Sequence, residues 1–253
     1  MADPVRRALV TGGGRGIGRG IAQTLGSRNV SIALTYRRDR GAADEVVAGL
    51  REQGTDAVAL ELDLADPTGF QRVVDEAASA LGGLDILVNN AGSASSGRTL
   101  RDTDTAELTK VLGVHAIGPH QLSRAALPYL RQHERSDVIF VSSIASQATV
   151  AGGAPYSMGK AAVEALASTL AREERGNGVH VNVVAPGLVN TEMGRRLVRA
   201  TLGVHDIGEL DQSSPFGRTC TPEDVAGVVS FLLSTDSSYL TDQRIVIDGG
   251  TFR

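Results

Sequence analysis

The sequence predicts an α/β protein with a doubly wound parallel sheet. Short apolar runs alternate with helical patterns along the chain, which is the order of a parallel sheet whose crossovers are helices. Several of these runs are almost continuous Val, Ile and Leu, as is typical of strands buried on both faces. A glycine-rich turn follows the first run, where such folds place a ligand.

Seven apolar runs are the predicted strands. They span residues 7–12, 30–36, 57–64, 84–92, 137–143, 179–187 and 244–250. The helical patterns between them span residues 16–28, 41–54, 67–83, 106–132, 156–175 and 222–234. The connections are short and none resembles a linker, so we expect one domain over residues 1–253 with helices on both faces of a seven-stranded sheet. Residues 190–220 interrupt the alternation of strands and helices and are predicted to form a flap over the carboxyl edge of the sheet.

Composition narrows the class of protein. The 253 residues carry a formal net charge of -4, which gives no reason to expect nucleic acid or an anionic membrane as partner. Cys220 is the single cysteine, so an intrachain disulfide is impossible, in keeping with a reducing compartment. The chain has no signal-peptide pattern and no apolar run long enough for a membrane span, so we expect the cytoplasm. No cluster of side chains has metal-ligand spacing, and we expect no metal.

The turn "TGGGRGIG" at residues 11–18 is the candidate phosphate site. Glycines after a first strand let the backbone approach a phosphate, and the helix N-terminus favours its negative charge. Neither the strict G-x-G-x-x-G pattern nor the P-loop pattern fits this spacing. Gly12, Gly16 and Gly18 remain, in the order G-x3-G-x-G. This predicts a Rossmann-type nucleotide site, although a glycine turn without a ligand is the alternative.

The end of the second strand indicates which nucleotide is bound. An acidic residue there would hold a ribose hydroxyl and favour NAD, whereas the sequence has "TYRRDR". Arg37 and Arg38, with Arg15 in the glycine turn, can form a cationic pocket for a 2'-phosphate, so NADP(H) is favoured over NAD(H). Two alternatives remain: the arginines are ordinary solvated charges, or a small shift in register brings Asp39 to the ribose.

Tyr156 and Lys160 are the candidate chemical pair. They lie four residues apart in a helical pattern, so their side chains share one face. Ser143 ends the fifth predicted strand, at the edge where open α/β sheets bind ligands. Taken alone, the tyrosine–lysine pair is better explained as a solvated surface pair. The serine and the glycine turn favour a catalytic role.

Taken together, these motifs resemble those of the short-chain dehydrogenase/reductase family over essentially the whole chain. The resemblance is carried by "TGGGRGIG", by "NNAG" at 89–92, by Ser143, by "YSMGK" at 156–160 and by "PGLVNT" at 186–191. It looks most like the NADPH-dependent 3-oxoacyl thioester reductases. In that family the tyrosine protonates the carbonyl oxygen, the lysine lowers the pKa of the phenol and holds the nicotinamide ribose, and the serine donates a hydrogen bond to the substrate oxygen.

The resemblance also implies the residues that hold the cofactor. Those expected at the phosphates, adenine, ribose and nicotinamide are Gly12, Arg15, Gly16, Ile17, Gly18, Arg37, Arg38, Asp63, Leu64, Asn90, Ala91, Gly92, Tyr156, Lys160, Pro186, Gly187, Val189 and Thr191. The last strand of the family usually helps a homotetramer to assemble, which we expect here.

Two positions depart from the family pattern. His115 stands where an asparagine usually supports a water in a proton relay to the lysine, so it either takes part in that relay or packs in the helix. Asp242 replaces a glycine in the turn before the last strand, where a side chain can alter subunit contacts.

The substrate class stays open at this point. A 3-oxoacyl thioester, carried by a protein or by coenzyme A, is the first expectation. A steroid or xenobiotic ketone is the alternative, as is a non-catalytic NADP(H)-binding sensor. Apolar residues in the flap argue against sugars; they are Met193, Leu197, Val198, Leu202 and Phe216.

Overall fold

A computed structural model describes residues 5–251, apart from the side chain of Leu202. Its centre is a seven-stranded sheet in the order β3-β2-β1-β4-β5-β6-β7, in which every neighbouring pair of strands is parallel. The predicted doubly wound fold is therefore confirmed. The order of strands reverses between β1 and β4, which places the topological switch point beside the glycine turn.

The elements lie close to their predicted ranges. The strands are β1 Arg6–Val10, β2 Val30–Tyr36, β3 Ala57–Glu61, β4 Ile86–Asn89, β5 Ser136–Val141, β6 Val179–Pro186 and β7 Gln243–Ile247. The α-helices are α1 Gly16–Gly26, α2 Arg40–Glu52, α3 Phe70–Leu81, α4 Thr105–Leu112, α5 Gly118–Leu130, α6 Ala154–Glu174, α7 Glu192–Leu202 and α8 Pro222–Leu232. Most predicted strands were too long at their carboxyl ends, because there the apolar run continues into the loops that form the site.

Two apolar clusters fill the two faces of the sheet. Alternate strand residues point to opposite faces, so that Leu9 and Phe140 belong to one cluster and Val10 and Ile139 to the other, all fully buried. The first cluster is covered by α3, α5 and α6, and the second by α1, α2 and α8. Burial on both faces explains why the strand sequences are almost continuously apolar.

The predicted helix over 106–132 is interrupted rather than continuous. Between α4 and α5 the backbone makes a π-helical segment at Gly113–Ile117, which contains His115. Single π-helical turns inside α-helices frequently occur at functional sites, because the extra residue re-aims a side chain. Here the His115 side chain is buried, with 3% of its surface exposed.

The 190–220 segment contains α7, a 3-10 helix at Ile207–Ser213 and a further 3-10 turn at Pro215–Gly217. Of its predicted apolar residues, Val198 is buried, whereas Met193, Leu197 and Phe216 are exposed, the last by 89%. The side chain of Leu202 lies outside the described structure. No helix within residues 5–251 is long and apolar enough to cross a membrane.

Candidate active site

The glycine turn and the end of β4 meet at the switch point. Gly12 and Gly16 have positive φ angles of 66° and 54°, a conformation that favours glycine. A side chain at Gly18 would collide with the carbonyl oxygen of Gly12. Helix α1 begins at Gly16, next to Ile17, without a side-chain cap or an acidic residue in its first turn. Its first N–H groups therefore remain available for an anion, as a pyrophosphate requires.

Asn90 ties these two segments together. Its Nδ2 atom donates to the carbonyl oxygen of Thr11 at 2.8 Å. The hydroxyl of Thr11 in turn accepts hydrogen bonds from the backbone N–H groups of Asn90 and Ala91, at 2.9 and 3.0 Å. The "NNAG" motif thus joins β4 to β1 at the place where the cofactor is expected. Thr11 was not predicted as a site residue, although its position just before the first glycine was the available signal.

The arginines proposed to select NADP(H) lie in two different environments. Arg37 and Arg38 follow β2 and are exposed. Asp39 caps helix α2 by accepting a hydrogen bond from the N–H of Ala42 at 3.1 Å, so this carboxylate already has a structural role. Arg15 pairs with Glu192 at the start of α7, at 3.1 Å, and both side chains are largely exposed.

The turn after β6 faces the glycine turn. A side-chain carbon at Gly16 would lie 3.4 Å from the Thr191 Cγ2 atom. The hydroxyl of Thr191 caps helix α7 by accepting from the N–H of Gly194. Val189 forms a bridge with Cys220, and the N–H of Gly187, after Pro186, donates to Ile247. Across the sheet, the chain after β3 places Asp63 at the surface and buries Leu64.

Ser143, Tyr156 and Lys160 converge beyond the carboxyl end of β5. The Ser143 hydroxyl hydrogen-bonds the Tyr156 phenol, and the Tyr156 ring is half-buried. Lys160 is 5% exposed, and its Nζ atom lies 5.7 Å from the centroid of the Tyr156 ring. The same Nζ atom donates to the carbonyl oxygen of Val141 at 2.7 Å. The structure therefore brings together the three side chains that the sequence suggested.

Burial is the largest influence on the pKa values of Tyr156 and Lys160. It raises the pKa of Tyr156 above its ordinary value, and the hydrogen bond from Ser143 acts in the opposite direction. Burial lowers the pKa of Lys160 to about 8, while the nearby carboxylate of Glu164 raises it. The expected lowering of the phenol pKa by Lys160 is thus not seen: the direction is upward, because removal of the phenol from water disfavours the phenolate.

His115 packs directly against Tyr156. The two rings are edge-on, with centroids 5.2 Å apart. The His115 Nε2 atom lies 3.1 Å from the nitrogen and 2.7 Å from the carbonyl oxygen of Ser93. Burial and the Lys160 ammonium lower the pKa of His115 to about 3. A side chain at Gly92 would lie 2.7 Å from the His115 Cε1 atom, so this imidazole occupies the space beside "NNAG".

Comparison with known proteins agrees with this geometry. The family model described as "Enoyl-(Acyl carrier protein) reductase" matches residues 12–251. A solved short-chain dehydrogenase from Burkholderia cenocepacia, in complex with NADP, superposes with a TM-score of 0.88 and is 33% identical, covering 97% of both chains. The chain belongs to the short-chain dehydrogenase/reductase family. It is accordingly an oxidoreductase that acts on a carbonyl or alcohol group with a nicotinamide cofactor.

Two curated members of the short-chain dehydrogenase/reductase family are similar over nearly the whole chain. Versicolorin reductase from Emericella nidulans is 35% identical, with 97% of this chain and 95% of the relative covered. Tetrahydroxynaphthalene reductase from Pyricularia oryzae is also 35% identical, with 96% of this chain and 88% of the relative covered. Both names describe reductases.

The short-chain dehydrogenase/reductase site includes residues that sequence reasoning missed. Ser142 and Ser146 flank Ser143 and both donate to one oxygen of Glu164, each at 2.7 Å. Arg244 on β7 donates to the same oxygen at 2.9 Å. The available signal was that Glu164 follows Lys160 by four residues on one helix face. Within residues 5–251 no group of three or more His, Cys, Asp and Glu side chains could hold a metal ion.

Proposed function

We propose that this chain is an NADPH-dependent carbonyl reductase in which Tyr156 is the general acid. The observation that supports this most directly is the convergence of the Ser143 hydroxyl, the Tyr156 phenol and the Lys160 ammonium beside the switch point of the sheet. A reduced nicotinamide cofactor would supply the hydride when bound. The protein's own residues would orient the carbonyl and provide the proton.

The raised pKa of Tyr156 suits the reduction direction. A phenol that burial keeps protonated at neutral pH can give its proton to the carbonyl oxygen as negative charge develops there. Ser143 would donate a hydrogen bond to the same oxygen. Lys160 would stabilise the phenolate left behind, because its ammonium lies close to the ring and burial strengthens the attraction. His115 would support the Tyr156 ring; a place in a proton relay to Lys160 remains a prediction.

The preference for NADP(H) over NAD(H) is supported by the end of β2. Arg37 and Arg38 are exposed there and pair with no acidic residue in the described part of the chain. The one nearby acid, Asp39, is engaged as a helix cap. The solved relative that contains NADP supports the same preference. Replacement of both arginines by glutamine is expected to raise the Kd for NADPH at least tenfold and to leave the Kd for NADH unchanged.

A 3-oxoacyl thioester is the first candidate substrate, on the resemblance of the motifs. A polycyclic ketone, such as a steroid or the keto tautomer of an aromatic polyphenol, is the second. It is favoured by the names of the two curated relatives and by large apolar side chains exposed near the site. Val150 precedes the Tyr156 helix, Leu100 follows "NNAG", and their loops touch where a side chain at Gly152 would collide with Gly97. Phe216 belongs to the 190–220 segment.

The deciding experiment is a cofactor-oxidation assay with both substrate classes. Purified protein is mixed with NADPH or NADH and a short 3-oxoacyl thioester or a bicyclic aromatic ketone, and loss of reduced-cofactor absorbance is followed. We expect NADPH consumption with one class and its near-complete loss in Tyr156→Phe, although this variant should still bind NADPH. Binding of NADPH without turnover of either class would favour a non-catalytic sensor, and equal rates in Tyr156→Phe would overturn the role of the phenol.

A further inference from the structure

A carboxylate beneath the site is engaged by three donors at once. The Oε1 atom of Glu164 accepts hydrogen bonds from the hydroxyls of Ser142 and Ser146, both at 2.7 Å, and from the Nε atom of Arg244 at 2.9 Å. The side chains of Glu164 and Arg244 are only 15% and 22% exposed. Charge-assisted hydrogen bonds that are largely shielded from solvent are stronger than hydrogen bonds between neutral, solvent-exposed groups. This arrangement is therefore a fixed part of the site rather than a mobile surface pair.

The same group of side chains holds the backbone of Ser143. The Ser143 carbonyl oxygen lies 2.9 Å from the Ser146 hydroxyl, which shares its one proton between this carbonyl and Glu164, and it accepts from the Nη2 atom of Arg244 at 3.4 Å. Arg244 also donates to the Ser146 hydroxyl oxygen at 3.1 Å. The segment that carries the Ser143 hydroxyl is thereby fastened to the last strand of the sheet.

Glu164 also acts on Lys160 through space. The two residues lie one turn apart on α6. Each secures the end of β5, since the Lys160 Nζ atom donates to Val141 and Glu164 accepts from Ser142. No direct ion pair joins them in the described structure; the carboxylate attracts the ammonium at longer range and raises its pKa, opposing burial.

We infer that Glu164, braced by Arg244, is a positioning residue of this active site: it fixes the segment around Ser143 and keeps the buried Lys160 ammonium charged. The inference deepens the proposed function and rests on it for the role of Lys160. The charged and titratable groups around Lys160 are Glu164 and Tyr156 on its own helix and His115 on the π-helical segment, with Arg244 on β7 behind Glu164. Of these, Glu164 supplies the negative charge.

The chain offers an unusually direct measurement of this coupling. Lys110 and Lys160 are its two lysines, the first exposed and the second buried. Protein labelled with lysine carrying ¹³C at the ε position therefore gives two NMR signals, and Lys110→Arg assigns them. The pH midpoint of the Lys160 signal is then followed without substrate or cofactor, so that the result is independent of whether the assayed reaction is the right one.

Glu164→Gln separates an electrostatic role from a merely structural one. If the carboxylate keeps Lys160 charged, its loss lowers the Lys160 midpoint by about one pH unit. If the substitution only loosens the site, water enters and the midpoint rises toward the ordinary value for lysine. The matched control is Glu173→Gln, the same change at an exposed position of the same helix, which should leave the midpoint unchanged. A midpoint that is unchanged or raised in Glu164→Gln would overturn the inference.

Two further readouts complete the test. Ser146→Ala removes a donor to Ser143 without altering charge, so we expect its Lys160 midpoint to stay unchanged while kcat falls. In Glu164→Gln the alkaline limb of the pH profile of kcat/KM should move to lower pH together with the NMR midpoint. If the midpoint moves but no variant or parent shows turnover, the coupling stands and the proposed substrate fails; if turnover is present and the midpoint does not move, the role of Glu164 fails.

Discussion

The His115 ring stands edge-on to the Tyr156 ring, with 5.2 Å between their centroids and 83° between their planes. Edge-to-face pairs of this kind stabilise by about 0.5–1.5 kcal/mol beyond simple burial. The Nε2 atom of the same His115 ring contacts the main chain of Ser93. One side chain therefore links the tyrosine helix to the loop after β4.

His115 should make the fold sensitive to acid. Its pKa is about 3 in the folded chain, below the ordinary value of 6.5. Between these values the unfolded chain binds a proton at this position that the folded chain does not bind, so stability falls as the pH falls from 6.5 toward 3. His115→Asn should remove a loss of up to about 1.4 kcal/mol for each pH unit in this range.

Urea unfolding at several pH values across this range measures the effect. His120→Asn is the control, because His120 lies on α5 with its side chain exposed. The slope of unfolding free energy against pH should become shallower in His115→Asn alone. Identical slopes in the parent and in both variants would show that His115 is not held neutral.

Gly159 is expected to tolerate no side chain. It lies on α6 between Tyr156 and Lys160, and a Cβ atom there would lie 2.8 Å from the Cβ atom of His115. Neither atom can rotate away, so Gly159→Ala should cost about 1–3 kcal/mol through displaced packing. Activity should also fall, because the shift separates the tyrosine from Ser143. Thermal unfolding and the NADPH assay measure the two effects.

A second glycine provides the matched control for that substitution. Gly49 lies inside helix α2 and has no atom within 4 Å of the position of an added Cβ atom. Gly49→Ala should therefore stabilise the protein by about 0.5–1 kcal/mol, since alanine is the better helix former. Equal midpoints of unfolding for Gly159→Ala and the parent would contradict the packing described for His115.

The sequence predicts those parts of this site that depend on residues close together in the chain, and it does not predict those that depend on residues far apart in the chain. The approximate ranges of the seven strands, the glycine turn after the first strand and the shared helix of Tyr156 and Lys160 follow from local sequence patterns, and the structure agrees with each. The π-helical segment and the contact between the His115 and Tyr156 rings do not follow from local patterns, because they depend on packing between separate helices. Glu164 and Arg244 are 80 residues apart in sequence, and no local pattern reveals that β7 brings them together.

Glu192 should weaken NADPH binding through its pairing with Arg15. Glu192 pairs at 3.1 Å with Arg15, the arginine expected to bind the 2'-phosphate, and so competes with the phosphate for it. Glu192 also pairs with Arg196. Because exposed ion pairs contribute only about 0–1 kcal/mol, Glu192→Gln should lower the Kd for NADPH by up to about fivefold. Fluorescence titration with NADPH and NADH measures this, and NADH should be unaffected. In an Arg15→Gln background Glu192→Gln should have no effect; an equal gain there would show that Arg15 is not involved.

Strand β7 forms one edge of the sheet. Within residues 5–251, strand β7 pairs with β6 alone and lies at an edge of the sheet, where backbone groups can pair with another chain. Val246 on this strand is 40% exposed, so an apolar side chain lies at this edge. We propose that β7 lies in a subunit interface of a homotetramer, as the family resemblance suggests.

Val246→Lys should then reduce the mass in solution, because it places a charge in an apolar contact between subunits. Val5→Lys is the control, since Val5 is similarly exposed, at 43%, but lies before β1. Light scattering after size-exclusion chromatography should show a tetramer for the parent and for Val5→Lys, and a smaller species for Val246→Lys. A monomeric parent protein would contradict the proposed homotetramer. A Val246→Lys tetramer would place the interface elsewhere.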